Sequence, residues 1–284
     1  MTNQEIICEC VRIVLTSEGK LNSLFLIGKG GMGKTTCVIN TFKALGYTQR
    51  ELTAITTPSG SNKEFVYINS YSTILELVNF LYENRDKNII LDDFECLLND
   101  KVALNVLKSA LWDTDGKRTI SYLTTSPRRI APQQFEFNGK LFFNLNKLPK
   151  SNPLLDALLT RSLVYYDNYT YTQLLTLIET ISRLPYKTLT DAQRGEIFIW
   201  LKNNTDETTE DLNIRTLIKL YDIYLSHPTD FEGISKLLVK RNEKLALVKL
   251  YIRECRTIGE AQRRFTEVTG SCRASFYGLK RKLE

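Results

Sequence analysis

The strongest constraint on the fold of this chain is a glycine-rich segment between two apolar runs, "LFLIGKGGMGKTTCVIN" at residues 24–40. The run before it is typical of a short buried strand, and the run after it of a helix with Val38, Ile39, Phe42 and Leu45 on one face. Glycine loses more conformational entropy on folding than any other residue, so a cluster of it between ordered elements indicates a close approach to the backbone. The segment predicts a strand, a tight loop and a helix.

The spacing within this loop matches the phosphate-binding pattern G-x-x-x-x-G-K-[ST]. Gly28, Gly33, Lys34 and Thr35 occupy its fixed positions. In such loops backbone N–H groups surround phosphate oxygens, the lysine reaches the β and γ phosphates, the hydroxyl binds Mg²⁺, and the following helix adds its positive N-terminus. An ordinary glycine-rich turn is the alternative, but the flanking strand and helix favour nucleotide binding. We predict ATP contacts from Gly28, Lys29, Gly30, Gly31, Met32, Gly33, Lys34, Thr35 and Thr36.

A second apolar run, "NIILDDFE" at residues 88–95, ends in acidic residues. Further strand-like runs at 52–56, 64–68 and 139–149 alternate with helical patterns, which indicates a parallel sheet covered by helices. Ligands of such sheets bind beyond the carboxyl ends of the strands. We therefore expect Asp92 to hold Mg²⁺ together with Thr35, and Asp93 to orient the attacking water. A solvated pair of loop acids is the alternative.

Composition limits the class of protein. With 284 residues, 43% of them hydrophobic and 25% charged, the chain is long enough for one α/β core and one or two small domains. No apolar run approaches the roughly 20 residues of a membrane span, and the N-terminal segment is too polar for a signal peptide, so we expect a cytoplasmic protein without a membrane partner. Six scattered cysteines and a single histidine predict reduced thiols and no cysteine–histidine metal site.

The basic charge of the chain is concentrated at its C-terminal end. Residues 235–284 hold 13 Lys or Arg against 5 Asp or Glu, a local net charge of +8 within a total of +6. The last two helical patterns, at 257–268 and 272–283, flank the turn "TGS", which is typical of a helix-turn-helix. Its predicted inward residues are Ala261, Phe265, Val268, Ala274, Phe276 and Leu279. Its predicted DNA contacts are Arg273, Ser275, Tyr277, Lys280 and Arg281. A basic helix that packs on its neighbours is the alternative.

A predicted hairpin adds a second basic surface. The runs at 119–125 and 132–137 read as two strands joined by a turn with Arg128 and Arg129 at its tip. These arginines could contact DNA phosphates, which supply affinity without sequence information. A solvent-exposed turn without a ligand is the alternative.

The order of these motifs over residues 20–226 resembles the AAA+ ATPases. The resemblance makes GKGGMGKT the Walker A loop and NIILDD the Walker B strand, and it implies a sensor-one side chain at Asn146. It further implies an arginine finger at Arg161, which acts on the nucleotide of a neighbouring subunit, and a second sensor at Arg215. Arginine suits such positions because its guanidinium binds phosphate bidentately. A surface arginine on a helix is the alternative for each.

The hairpin resembles that of the pre-sensor-one β-hairpin branch, which includes RuvB-like motors and replicative helicases. The C-terminal segment resembles the helix-turn-helix tails of phage and plasmid proteins. Together they imply an α/β P-loop RecA-like core over residues 1–166, an all-α lid over 167–232 and a helix-turn-helix domain over 233–284. The sequence departs from the family in one respect, because most members have Asp-Glu where this chain has Asp92 and Asp93. Either the shorter Asp93 still polarises water, or hydrolysis is slow.

The resemblance implies an ATPase that acts on DNA as a homo-oligomer, a hexameric ring, with Mg²⁺ as cofactor. The first hypothesis is a helicase, translocase or branch-migration motor in phage or plasmid replication or recombination, working with a protein partner. The second is a nucleotide-switched DNA-binding protein: an initiator, a helicase loader or a transposition regulator. The third is a P-loop protein whose basic tail is only structural. A sigma-54 activator fits less well, because no GAFTGA-like loop is present.

Overall fold

The computed structural model describes residues 1–50, 63–69, 73–113, 115–281 and 283. The strand-like run at 52–56 lies outside the described residues. Contacts divide the chain into two compact units, Met1–Asn168 and Tyr169–Glu284. The division into three domains remains a prediction.

The first unit alternates strands and helices. Its elements in chain order are α1 (Asn3–Thr16), β1 (Ser23–Ile27), α2 (Lys34–Ala44), β2 (Thr48–Arg50), β3 (Glu64–Asn69), α3 (Ile74–Glu83), β4 (Asn88–Asp92), α4 (Lys101–Leu111), β5 (Thr119–Ser121), β6 (Gln134–Glu136), β7 (Leu141–Leu145), α5 (Pro153–Leu159) and β8 (Leu163–Tyr166). Six strands form one parallel sheet in the order β2-β3-β4-β7-β1-β8. The predicted parallel sheet is confirmed.

The sheet is buried on both faces, as its continuous apolar strands require. Alternate residues of β1 enter different clusters: Phe25 and Ile27 pack on one face, and Leu24 and Leu26 on the other. On the first face Phe25 stacks on Phe143 of β7, with ring centroids 4.1 Å apart. The central strands β1 and β7 are therefore fixed on both sides, which holds the loop that follows β1.

Local sequence sets the helix starts. Thr2 and Thr73 each form a capping box with the glutamate three residues later, so α1 begins at Asn3 and α3 at Ile74. The helix before Arg161, α5, ends at Leu159. The chain then turns into β8, an edge strand that the sequence did not predict.

The predicted hairpin forms as a separate antiparallel pair of β5 and β6. The loop between them is anchored to α3 by the buried side chain of Asn79. Its amide donates to the carbonyl of Arg128 at 3.1 Å and accepts the backbone N–H groups of Ile130 and Ala131 at 3.0 and 3.1 Å. The backbone around the two predicted tip arginines is thereby fixed to the core.

The second unit is helical. Its elements are α6 (Tyr171–Ser182), α7 (Asp191–Asn204), α8 (Ile214–Ser226), α9 (Phe231–Ser235), α10 (Glu243–Glu254), α11 (Ile258–Thr269) and α12 (Arg273–Lys280). Capping boxes at Thr170, Thr190 and Asn213 begin α6, α7 and α8. Across both units, no helix among the described residues is long and apolar enough to span a membrane.

The last three helices enclose their own apolar cluster, made of Val248, Ala261, Phe265 and Phe276. Gly270 ends α11 in the left-handed conformation, with φ +64°, which allows the tight turn before α12. Two of the residues predicted to face inward do not. Ala274 is exposed because it lies two residues from Phe276, on the opposite side of α12. Val268 is 64% exposed because it lies in the last turn of α11, outside the cluster.

Candidate nucleotide-binding site

Sheet topology brings the predicted site residues to one edge. β7 lies between β1 and β4, and its Asn144 pairs with Leu26 of β1 and with Asp92 of β4. All three strands are parallel, so the loop after Ile27, the acids after Leu91 and the end of β7 meet at the carboxyl edge. This is the edge at which ligands of open α/β sheets bind.

Glycine is required in the loop for two different reasons. Gly31 and Gly33 have φ values of +80° and +84°, which side chains with a Cβ rarely adopt. Gly28 is required by close packing, because a Cβ there would lie 2.5 Å from the backbone oxygen of Asp167, just after β8. The first glycine therefore allows the end of β8 to pack against the loop, and the later two shape the loop itself.

Lys34, the first residue of α2, is buried beneath the loop. Its Nζ donates to the carbonyl oxygens of Gly28 at 2.6 Å and Lys29 at 2.8 Å. Burial lowers the pKa of Lys34 from its ordinary value, while the charges of Asp167 and Asp92 oppose that shift. An anion in the loop would relieve the cost of burying this ammonium group.

Thr35 and Asp92 are in direct contact. The Thr35 hydroxyl donates to the Asp92 carboxylate at 3.0 Å, and the Tyr67 hydroxyl donates to the same carboxylate at 2.9 Å. Burial raises the pKa of Asp92, and the hydrogen bonds from Tyr67 and Thr35 act in the opposite direction. The predicted pair of Mg²⁺ residues is thus assembled by one strand end and one helix start.

A second set of polar residues, Asp93, Glu95 and Asn146, follows the ends of β4 and β7. Asp93 has a left-handed backbone, with φ +57°, and its carboxylate accepts a hydrogen bond from the Asn146 side chain at 2.8 Å. The backbone N–H of Asn146 donates to the Glu95 carboxylate at 2.6 Å. The structure therefore brings the predicted sensor Asn146 to the predicted water-orienting Asp93, and it adds Glu95 to the same group.

Asn144 is a site residue that the sequence reasoning missed. It is 1% exposed, and its amide nitrogen donates to the Thr35 hydroxyl at 3.3 Å. Its Oδ1 is buried and has no hydrogen-bond partner among the described residues. A polar residue inside the apolar run "LFFNL" was the available signal, because buried amides are rare without a partner. The contact of Tyr67 with Asp92 had no comparable signal.

The residues around Thr35 fit Mg²⁺. The Thr35 hydroxyl, the Asp92 carboxylate and the buried Asn144 Oδ1 present only oxygen atoms, the ligand type that this cation prefers. Thr35 and Asp92 would hold the ion, directly or through water. When bound, Mg²⁺ neutralises negative charge on the phosphate oxygens of a nucleotide.

Arg161 lies at the sheet edge opposite the loop. β8 begins at Leu163, which pairs with Leu24 near the start of β1. Gly28 follows Leu24 by four residues, so the two lie about 13 Å apart along the strand. Its guanidinium lies over the Trp112 ring, 5.1 Å from the centroid, and donates to the carbonyl of Ala157. The assignment of Arg161 as an arginine finger remains a prediction.

The other predicted residues lie on the surface. Arg215 is exposed in the first turn of α8. Arg128 is exposed at the hairpin loop, while Arg129 is half-buried and its Nε donates to the carbonyl of Ala131 at 2.5 Å. On α12, Arg273 lies over the Tyr277 ring at 5.6 Å. Arg273 and Arg281 are exposed, and the three other predicted contacts are half-buried: Ser275, Tyr277 and Lys280.

The fold is an α/β core with a parallel sheet and a P-loop after its central strand β1, followed by helices. The chain is similar to a proline-to-glycine mutant of RuvB from Thermotoga maritima, with a TM-score of 0.50, 14% identity, and coverage of 97% of this chain and 85% of that one. Domain III of the Thermotoga maritima replication initiation protein DnaA gives a TM-score of 0.47 at 14% identity, covering 83% and 90%. A structure described as a DNA replication initiation factor gives 0.39 at 13% identity, covering 97% and 81%. No protein-family model and no curated protein matches the sequence.

Proposed function

We propose that this chain is a DNA-acting AAA+ ATPase that hydrolyses ATP to ADP and phosphate with Mg²⁺. The contact between Thr35 and Asp92 beside the buried Lys34 carries the proposal. Lys34 and Thr35 begin a helix, and Asp92 ends a strand more than fifty positions later. The packing of the apolar core does not require a contact between these polar side chains. A site for a triphosphate and its metal accounts for all three.

The residues of the site would divide the work of phosphoryl transfer. The loop N–H groups and Lys34 bind the phosphates, which need positive charge and hydrogen-bond donors around them. Asp93 orients the attacking water, and Asn146 holds the Asp93 carboxylate. In the proposed ring, Arg161 of a neighbouring subunit stabilises the transferring group, and Arg215 links the helical unit to nucleotide binding.

The basic C-terminal helices support DNA as the substrate. The exposed Arg273 and Arg281 and the half-buried Tyr277 and Lys280 lie on or next to α12, beyond a tight turn at Gly270. We propose that α12 binds DNA, with Arg128 and Arg129 of the hairpin as additional phosphate contacts. Phage or plasmid replication or recombination, with a protein partner, is the proposed setting.

A nucleotide-switched DNA-binding protein is the second candidate. One observation favours it: Asn146 binds both nearby acids, Asp93 through its side chain and Glu95 through its backbone. An acid held in this way is less free to orient water, so hydrolysis would be slow and ATP binding would act as the signal. An initiator, a helicase loader or a transposition regulator would use nucleotide in this manner.

ATPase rates measured without DNA and with single-stranded, duplex and four-way-junction DNA test the proposal. We expect turnover that at least one DNA form stimulates, loss of turnover in Lys34→Ala, and normal turnover in the matched control Lys43→Ala, which alters an exposed lysine at the other end of α2. Absence of ATP binding would refute the proposal. ATP-dependent DNA binding without strand displacement would favour the switch over the motor.

Mixing experiments test the proposed ring. Arg161→Ala subunits should bind ATP but fail to stimulate their neighbours, so mixing inactive Arg161→Ala subunits with inactive Lys34→Ala subunits should restore part of the activity. Normal turnover of assembled Arg161→Ala protein would refute the finger assignment. Replacing Arg273 and Arg281 by Gln should lower the salt dependence of DNA binding by about one unit per lost phosphate contact. The control is the same exchange at Lys202 and Lys219, two exposed lysines outside α12.

A further inference from the structure

The helical unit contains a cavity that the nucleotide site does not use. It has a volume of about 630 Å³ and lies among α7, α8 and α9, within the roughly 300–1,000 Å³ range of ligand pockets. Its lining residues all fall between positions 196 and 234. The cavity is therefore built entirely within one compact unit.

Three aromatic rings form one part of the lining. Trp200 of α7 and Tyr224 of α8 both pack against Phe231 of α9, with ring centroids 5.3 and 5.5 Å apart and edge-to-face geometry. Aromatic faces carry negative charge density and attract cations within about 6 Å. This part of the cavity suits a group with an apolar stem and a positive end.

Three acidic residues supply the charge around these rings: Glu196, Asp230 and Glu232. None of them has an ion-pair partner among the described residues. Asp230 occupies the position before α9, yet its side chain makes no capping hydrogen bond. Among the residues that line the cavity in the described chain there is no lysine or arginine, so its charge is uniformly negative, in a protein with a net charge of +6.

We infer that this cavity binds the side chain of a lysine or arginine on an exposed segment of a partner protein. The cation would lie against the half-buried rings of Trp200 and Tyr224, its apolar stem would contact the same rings, and the carboxylates at the rim would pair with its charge. A nucleic acid is repelled by the same three acids. The inference does not depend on ATP, so it can fail or hold separately from the proposed function.

Gly233 leaves the cavity open. It lies in the middle of α9 and lines the cavity, and a Cβ at this position would meet nothing within 4 Å. A larger side chain at Gly233 would therefore meet no neighbour at its Cβ, so Gly233→Leu has little reason to unfold the protein. Because Gly233 lines the cavity, we expect the added side chain to narrow the space in which a ligand would lie.

Fluorescence of Trp200 provides a direct measurement. The chain has two tryptophans, so Trp112→Phe leaves Trp200 as the sole reporter. We would titrate this variant with the peptide acetyl-Ala-Leu-Arg-Leu-Ala-amide, with its citrulline analogue, which is neutral and nearly the same shape, and with n-butylammonium. We expect a saturable change in emission, about tenfold tighter binding of the arginine peptide than of the citrulline peptide, and weaker binding at high salt.

Two substitutions test whether the peptide binds in the cavity, and each has a matched control elsewhere in the chain. Gly233→Leu should abolish peptide binding, while Gly259→Leu, at another helical glycine whose Cβ meets nothing, should not. Glu232→Gln should weaken binding severalfold, while Glu267→Gln, at an exposed acid of α11, should leave it unchanged. Equal binding of the two peptides, no saturable change, or binding that survives Gly233→Leu would overturn the inference. Binding of n-butylammonium as tight as that of the peptide would also overturn it, because the cavity would then take small cations and not a protein segment.

Discussion

Replacing Asn144 by leucine should stabilise the first unit while weakening its site. Asn144 is buried in the central strand β7, and only its amide nitrogen is hydrogen-bonded, at 3.3 Å to the Thr35 hydroxyl. Its Oδ1 has no partner among the described residues. Leucine has nearly the same branched shape, so Asn144→Leu removes the polar atoms without opening a cavity.

The magnitude follows from two opposing contributions. A buried polar atom without a partner costs about 1–3 kcal/mol, and a typical intramolecular hydrogen bond contributes about 0.5–1.5 kcal/mol to stability. The bond to Thr35 is long, so its loss lies at the lower end of that range. We expect a net gain of about 1 kcal/mol in the free energy of unfolding, or a Tm higher by about 2–4 °C for a unit of this size.

The effect on the site should have the opposite sign. Without the Asn144 amide, the Thr35 hydroxyl loses one of the two groups that orient it. Removing a group that orients a metal-binding side chain typically costs about 10–100-fold in affinity. Calorimetry should therefore show weaker binding of ATP in the presence of Mg²⁺ and little change in EDTA. If the two units unfold in separate thermal transitions, the transition whose Tm increases on adding ATP belongs to the unit that contains the site.

Asn79→Leu is the matched control, because it makes the same exchange at a buried asparagine of the same unit whose hydrogen bonds are satisfied. Its Oδ1 accepts the backbone N–H of Ala131, which is buried. Losing that bond should destabilise the unit by about 1–3 kcal/mol. If Asn144→Leu lowers Tm, then the oxygen of Asn144 has a partner in solution and the reasoning is wrong. If Asn79→Leu raises Tm as well, then hydrogen bonding does not account for the difference between the two sites.

Three further predictions follow from the same contacts. Burial raises the pKa of Asp92, so the ionised carboxylate destabilises the folded state at pH values above that raised pKa. Asp92→Asn should therefore raise Tm at pH 7. Thermal scans at lower pH should show this gain in Tm becoming smaller as the pH approaches the ordinary Asp pKa of about 3.9. Gly28→Ala would place a Cβ 2.5 Å from the Asp167 carbonyl oxygen. Urea unfolding should show a free energy of unfolding lower by about 1–3 kcal/mol; an unchanged value would mean that the chain after β8 moves away from the new Cβ without cost. Phe265→Ala should destabilise the C-terminal cluster by about 3–5 kcal/mol, abolishing DNA binding while basal ATPase activity persists; retained DNA binding would place the DNA site elsewhere.

The strand, loop and helix around residues 23–44 could be predicted from sequence because apolar runs and glycine spacing act locally. The meeting of Thr35 with Asp92 was also predictable, since parallel strands end at a common edge. Tyr67 was not, because its contact with Asp92 depends on the register of β3 against β4. The pattern of glycines predicted a close approach to the loop backbone, but at Gly28 the approaching group is the chain itself, after the unpredicted strand β8.

The two asparagines at the end of β7 divide the site into two parts. Asn144 contacts Thr35, which contacts Asp92, whereas Asn146 contacts Asp93 and Glu95. Asn144 lies within β7 and Asn146 directly follows its last residue, Leu145, so a single strand end supplies both amides to the same edge of the sheet. If the proposed roles hold, the first set governs Mg²⁺ and nucleotide affinity and the second governs the water. Substitutions at Asn144 should then change binding, and substitutions at Asn146 should change turnover at saturating ATP, so the two properties can be varied separately.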